Sequence, residues 1–288
     1  MAPLPSTFPF DHAGLELRGY HWSAGEHADP ERGVLAIVHG LGEHAGRYAH
    51  CAEHFNAAGY EVFAFDQEGH GRSAGKRGAI RSWSLTVASV NSFLAAVRLQ
   101  LEAPAAPVSL WGHSMGALLA LDYLDTRPEA EQLRAAVVTA PPLALAFEPS
   151  PVLVRAAGLL AKALPNVTKD NDLDARDLSR DAGVVSLYSV DPLVHRRVSM
   201  RLGEALLSRG RALLKRGYHA RVPLLLMHGT RDAVTSAAGS ARFAEISTGP
   251  VTYRPWEGFF HELHNEPERR EVLDAMSAFL ATTTRRPL

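Results

Sequence analysis

Val108-Ser109-Leu110-Trp111-Gly112-His113-Ser114-Met115-Gly116-Ala117-Leu118-Leu119-Ala120 carries an apolar run through G-H-S-M-G into a helix-forming Ala/Leu run. G-x-S-x-G between a strand and a helix is a nucleophile elbow. The turn is tight enough to strain the serine backbone. Glycines two positions either side leave room for the neighbouring strand and helix. Ser114 then stands above a sheet at the N-terminus of the next helix, where the helix dipole favours developing negative charge. As a bare string the pattern is weak, because a glycine-flanked serine that only caps a helix looks the same. The strand-turn-helix context points to a nucleophile.

Outward from this elbow, buried strands alternate with amphipathic helices. Val34 to Val38 is a continuous apolar run, as expected of a strand covered on both faces, and it ends at His39-Gly40-Leu41-Gly42-Glu43-His44. A helix is expected from Gly46 to Ala58, with Tyr48, Cys51 and Phe55 on one face. Glu61 to Asp66 reads as the next strand, and Ser82 caps a helix whose stripe is Trp83, Val87, Val90, Leu94, Val97 and Leu101. Ala135 to Ala140, Leu224 to Gly229 and Val251 to Arg254 read as further core strands, and Pro267 to Ala281 as the last helix. Gly14 to Trp22 alternates and reads as an antiparallel N-terminal strand. This alternation implies an α/β fold: a mostly parallel central sheet flanked by helices. It stops between about 142 and 222, where Pro149 to Leu164 reads as an apolar helix, Asn166 to Asp174 as a polar loop, and Val198 to Arg216 as helical. The expected organisation is a core in two parts, residues 1–141 and 223–288, with a helical lid inserted at 142–222.

Composition limits the function classes. The 288 residues are 46% hydrophobic and 21% charged, ordinary for a globular chain with a sizeable core. A formal net charge of −1 gives no global field toward nucleic acid or an anionic membrane. The single cysteine, Cys51, excludes an intrachain disulfide framework and fits a reducing, cytoplasmic setting. Met1-Ala2-Pro3-Leu4-Pro5 has no basic region or long apolar run, so no signal peptide is expected, and no stretch suits a membrane span.

A serine hydroxyl needs a base within hydrogen-bond reach, and the base needs an orienting carboxylate. After such an elbow the chain order is serine, acid, histidine. Asp232, in Gly229-Thr230-Arg231-Asp232, is the acid candidate, and His261, behind Phe259-Phe260, is the base candidate. Asp66 is an alternative acid that precedes the serine, and His264 is the rival base. The backbone N–H groups of Met115 and Leu41 are placed to bind an oxyanion, and Gly40 and Gly42 let that loop approach closely. No metal site is expected: His261-Glu262-Leu263-His264 has its second histidine one residue too early for H-E-x-x-H. His113 reads as a packing residue, Cys51 as buried and inert, and no cofactor is implied.

Five segments together resemble the monoacylglycerol lipases and their bacterial lysophospholipase-like relatives: H-G-L-G-E-H-A-G-R-Y (39–48), D-Q-E-G-H-G-R-S-A-G-K-R-G (66–78), G-H-S-M-G (112–116), D-P-L-V-H (191–195) and F-H-E-L-H-N-E (260–266). The resemblance spans nearly the whole chain, lid included. It implies an α/β-hydrolase fold with Ser114, Asp232 and His261 as triad and Leu41 and Met115 as oxyanion hole. It also implies that Glu43 and Arg47 lie near the alcohol end of the pocket and that His264 contacts glycerol. Glu68 departs from the more usual D-x-R-G pattern, so local salt bridges there do not carry over. The implied substrate is a single-chain lipid ester. Lysophospholipase, general esterase, aminopeptidase and non-catalytic binder stand as alternatives. Lid residues Val152, Leu153, Leu159 and Leu160 offer an apolar wall for an acyl chain and a transient peripheral contact with a membrane, or are simply lid core. Acyl length, head group and oligomeric state are not written in these motifs.

Overall fold

The apolar runs of the sequence become neighbours in one sheet. A computed structural model describes residues 4–147, 158–159 and 161–283. Its sheet has eight strands: β1 (Ser6–His12), β2 (Leu15–Trp22), β3 (Val34–Val38), β4 (Glu61–Asp66), β5 (Val108–His113), β6 (Ala135–Thr139), β9 (Leu224–Gly229) and β10 (Val251–Trp256). They lie in the order β1-β2-β4-β3-β5-β6-β9-β10. β1 and β2 pair antiparallel, as do β2 and β4, and every other pair is parallel. β3, β5, β6 and β9 are buried at every position, which is why their sequences run apolar without alternation.

One difference from the sequence reading lies at the edge. The N-terminal strand is a hairpin, because β1 precedes β2 in full register from Ser6 opposite His21 to His12 opposite Leu15. Phe8, Phe10 and His12 alternate inward along β1. Pro9 argues against a central strand, but an edge strand tolerates a missing N–H.

Both faces of the sheet are covered. Helix α1 (Ala49–Ala57), which follows a 3-10 turn at Ala45–Tyr48, and helix α7 (Arg269–Thr282) cover one face, where Cys51, Phe55, Val272 and Met276 join Leu35 and Ile37. The other face carries α2 (Trp83–Gln100), α3 (Met115–Thr126), α5 (Met200–Arg216) and α6 (Ala237–Ile246). There Phe93, Leu118, Leu202 and Phe243 pack with Ala36 and Leu226. Ser82 caps α2 by accepting from the Leu85 N–H at 3.2 Å. Each fully buried side chain of the α2 stripe contributes roughly 1.5–3 kcal/mol of apolar transfer.

Between β6 and β9 the chain leaves the sheet. The stretch expected as a polar loop, 166–174, contains a short strand, β7 (Thr168–Asp170), paired antiparallel with β8 (Arg197–Ser199). A three-residue polar ladder has no apolar alternation for a sequence reading to detect. Helix α4 (Ala182–Val190) follows a 3-10 turn at Ala175–Asp177, with Asp181 accepting from the Gly183 N–H at 2.8 Å. Of the expected apolar helix at 149–164, residues 158–159 and 161–163 are described and helical. Val152, Leu153 and Leu160 lie outside the described residues, and Leu159 is 70% exposed. No helix among the described residues is long and apolar enough to cross a membrane.

Candidate active site

The parallel strands deliver their C-terminal ends to one rim, and each candidate group follows one of them. β5 ends at His113, and Ser114 is the N-cap of α3 with φ 51° and ψ −118°, the strained turn expected of an elbow. A Cβ on Gly112 would collide with the Gly116 carbonyl oxygen, and one on Gly116 would collide with the Val38 carbonyl oxygen. The two glycines therefore let α3 start directly against β5 and β3.

The side chains meet in a line. His261 Nε2 is 3.0 Å from Ser114 Oγ, and its Nδ1 is 2.7 Å from Asp232 Oδ2. His261 and Asp232 are buried, while Ser114 is partly exposed. Asp232 is held on every side. Its Oδ1 accepts the N–H groups of Val234 at 2.7 Å and Thr235 at 2.9 Å, and its Oδ2 accepts the Thr235 hydroxyl at 2.8 Å. His228 Nε2 lies 3.1 Å from the same oxygen. Burial alone would raise the Asp232 pKa, but the His261 ring and the hydrogen bonds of His228 and His261 outweigh it and hold the carboxyl well below the usual range. Burial alone would lower the His261 pKa, but the Asp232 charge and hydrogen bond raise it above its ordinary value. The arrangement can take a proton from the serine and hold the resulting cation.

The loop after β3 reaches the same spot. A Cβ on Gly40 would lie 3.2 Å from Ser114 Cβ, so this loop passes directly over Ser114. Among the described residues no backbone acceptor faces the Leu41 N–H. Met115 opens α3, so its N–H is one of the unpaired donors of a helix start.

Known proteins share this plan. A family model described as "Serine aminopeptidase, S33" matches residues 29–268. The monoacylglycerol lipase of Mycolicibacterium smegmatis is 36% identical over 256 residues, covering 88% of this chain and 89% of the relative. This chain belongs to the monoacylglycerol lipase family of α/β-hydrolases. Phospholipase YtpA of Bacillus subtilis is 31% identical over 88% of the chain and 96% of its own length. The crystal structure of Paleococcus ferrophilus monoacylglycerol lipase superposes on this hydrolase with a TM-score of 0.81 at 33% identity, covering 93% of this chain and 99% of that one.

In this hydrolase Glu43 and Arg47 form a buried network. Arg47 donates to Glu43 at 2.7 Å and in a fork to Glu262 at 2.6 and 2.7 Å. Glu43 Oε1 also accepts the Gly40 N–H at 2.6 Å and the Tyr48 hydroxyl at 2.9 Å. The Tyr188 ring of α4 covers the guanidinium at 4.7 Å. Burial would lower the Arg47 pKa, but the carboxylates of Glu262 and Glu43 hold it charged, well above its ordinary value. The network thus joins the loop over Ser114 to the residue beside His261.

His264, expected at the glycerol end, is fully buried. It stacks on Tyr48 at 4.9 Å and meets Trp111 edge-on at 5.3 Å. Burial pushes its pKa down to about 3. His113 is likewise a packing residue, buried, with Nδ1 3.1 Å from Thr139 Oγ1. Asp66, the alternative acid, holds loops instead: it accepts from the Tyr20 hydroxyl, the Ala45 N–H and the Arg72 N–H at 2.8, 2.8 and 2.7 Å. Glu68 pairs with Arg81 at 3.1 Å. Cys51 is free and buried. The supports that sequence reasoning missed are His228 and Thr235. The only signal was their place, at the end of β9 and three residues after Asp232.

Proposed function

We propose that this hydrolase cleaves the ester bond of monoacylglycerols or similar single-chain lipid esters through an acyl-enzyme on Ser114. The observation that carries the reading is the continuous line Ser114 Oγ, His261, Asp232, with separations of 3.0 and 2.7 Å. His261 takes the proton as Ser114 Oγ attacks the ester carbonyl. Asp232 orients the imidazole and stabilises its cation. The N–H groups of Leu41 and Met115 bind the oxyanion, and removing one such donor typically costs about 10²–10³ in kcat. The tetrahedral intermediate collapses as His261 protonates the departing glycerol oxygen. Water, deprotonated by His261, then hydrolyses the acyl-enzyme and frees the fatty acid.

The segment 142–222 serves as the lid in this reading, with α5 as its inner layer against the core. Leu159, Leu164, Val167, Leu187 and Val190 are exposed on it. They suit an acyl chain or a transient membrane contact. The lone buried thiol suits a cytoplasmic setting. A phospholipid with one acyl chain is the second reading, favoured by the relative named a phospholipase. A peptide substrate is less favoured, because three of the lid carboxylates already have partners: Asp174 pairs with Arg176, Asp170 with Arg196, and Asp181 caps α4.

The test is a substrate panel of monoacylglycerol, diacylglycerol, lysophospholipid and a short p-nitrophenyl ester, with Ser114→Ala as control. Turnover that is highest on monoacylglycerol and absent in Ser114→Ala is expected. No ester turnover, or full turnover by Ser114→Ala, refutes the reading. A folded wild type that a fluorophosphonate leaves unlabelled would be a binder instead.

A further inference from the structure

D-P-L-V-H (191–195) is a motif that the triad does not use. The structure lays it along the loop that passes over Ser114. The His195 N–H donates to the Gly42 carbonyl at 2.8 Å. His44 Nε2 lies 2.8 Å from Asp191 Oδ2. Because His44 Nδ1 accepts the Gly46 N–H at 3.2 Å, the proton sits on Nε2 and is donated to Asp191. The other oxygen of Asp191 accepts the Leu193 N–H at 2.8 Å, which fixes the carboxylate. Gly42 has φ +82°, and a Cβ on it would collide with the His195 carbonyl oxygen. Only glycine permits this approach.

The same segment is anchored at its other end. The Ser179 hydroxyl donates to the Asn265 carbonyl at 2.8 Å, and the Glu262 N–H donates to the Leu178 carbonyl at 2.7 Å. Arg180 Nε is 2.7 Å from Glu266 Oε2. Residues 178–195, with α4 between the anchors, therefore tie the loop that carries His261 to the loop that carries Leu41.

We infer that Asp191 and His44 are positioning residues: their hydrogen bond holds the 40–44 loop so that the Leu41 N–H points at the developing oxyanion. The inference rests on the ester-hydrolase reading above. The carboxylate is one-quarter exposed and the imidazole nearly buried, so water competes only weakly for the bond. Breaking it loosens a donor rather than deleting one, so the loss is smaller than the full cost of that donor.

The experiment compares wild type, Asp191→Ala, His44→Ala and the double variant in kcat and KM on a p-nitrophenyl ester. It adds the affinity of a trifluoromethyl ketone, whose hemiketal oxygen occupies the same hole. Each single change is expected to lower kcat roughly tenfold, with KM within about twofold. The ketone should weaken by the same factor as kcat/KM. The double variant should be no worse than the poorer single, because one link is broken either way. Unchanged kcat in Asp191→Ala, losses that multiply in the double, or a kcat loss without ketone weakening would overturn the inference. If Asp191→Ala does not fold, Asp191→Leu keeps the branched side-chain shape and offers His44 no acceptor. The same losses are expected of it, and unchanged kcat again overturns the inference. A wild type without ester turnover defeats the function reading and this inference together. An active wild type with unimpaired variants defeats this inference alone.

Discussion

In the proposed mechanism His261 must be neutral to accept a proton, and its surroundings set the pH at which that holds. The Asp232 carboxylate stabilises the cation and raises the imidazole pKa above its ordinary 6.5 despite burial. Activity therefore falls as pH drops through that raised value. The acid limb of a kcat/KM profile is expected to lie above pH 6.5. Asp232→Asn should move the limb to lower pH and cut kcat by about 10⁴, by analogy with the serine-protease triad. A limb that stays in place in Asp232→Asn would show that another group titrates there. A second prediction concerns His264, whose ring nitrogens have no hydrogen-bond partner among the described residues. His264→Phe keeps the stack on Tyr48 and removes an unsatisfied polar group, so stability should rise by about 1 kcal/mol with KM unchanged. Thermal melting and steady-state kinetics check both halves. A raised KM at constant kcat would instead put His264 in contact with the glycerol group.

The elbow is an element that is legible in the sequence alone. Its glycines are where α3, β5 and β3 come closest, so a local string reports a three-element contact. Gly116→Ala forces a Cβ into the Val38 carbonyl, which is backbone and cannot rotate away. The change is expected to cost roughly 3 kcal/mol or more and to abolish fluorophosphonate labelling of Ser114. Native melting with full labelling would contradict the packing argument. The central strands were legible for a related reason, since burial on both faces leaves unbroken apolar runs. β1 was not, because Pro9 interrupts its short alternation and only its edge position makes that tolerable. β7 and β8 were not, because they are short and largely polar. Among the candidate site residues, Ser114, Asp232 and His261 each follow a strand end, in the order serine, acid, histidine. The fork from Arg47 to Glu262 joins positions 215 apart, and nothing in either local segment announces it.

Over the whole molecule, the sheet that gathers the site also traps many imidazoles in low-dielectric surroundings. Burial is the largest cause holding His39, His70, His113 and His264 below their ordinary pKa, the last at about 3. These rings stay neutral in the folded chain but take protons near pH 6.5 once unfolded. The unfolded state then binds more protons, so stability falls as pH drops through 6.5. His261 acts in the opposite sense: its contribution is full below the unfolded pKa and is lost as pH rises through its raised folded value. It is one group against those four, and burial holds His12, His50, His54 and His195 low as well. Asp232 has its pKa depressed and stabilises above the usual carboxylate range, so its contribution is constant in this window. The melting temperature is therefore expected to fall on the order of 5 °C between about pH 7.5 and 5 at fixed ionic strength. A flat profile would mean that the buried rings accept protons without cost. On the proposed mechanism activity falls in the same window through His261, and the two effects separate by recovery. Protonation of His261 reverses at once on return to about pH 8, whereas activity lost through acid unfolding returns only as fast as the chain refolds.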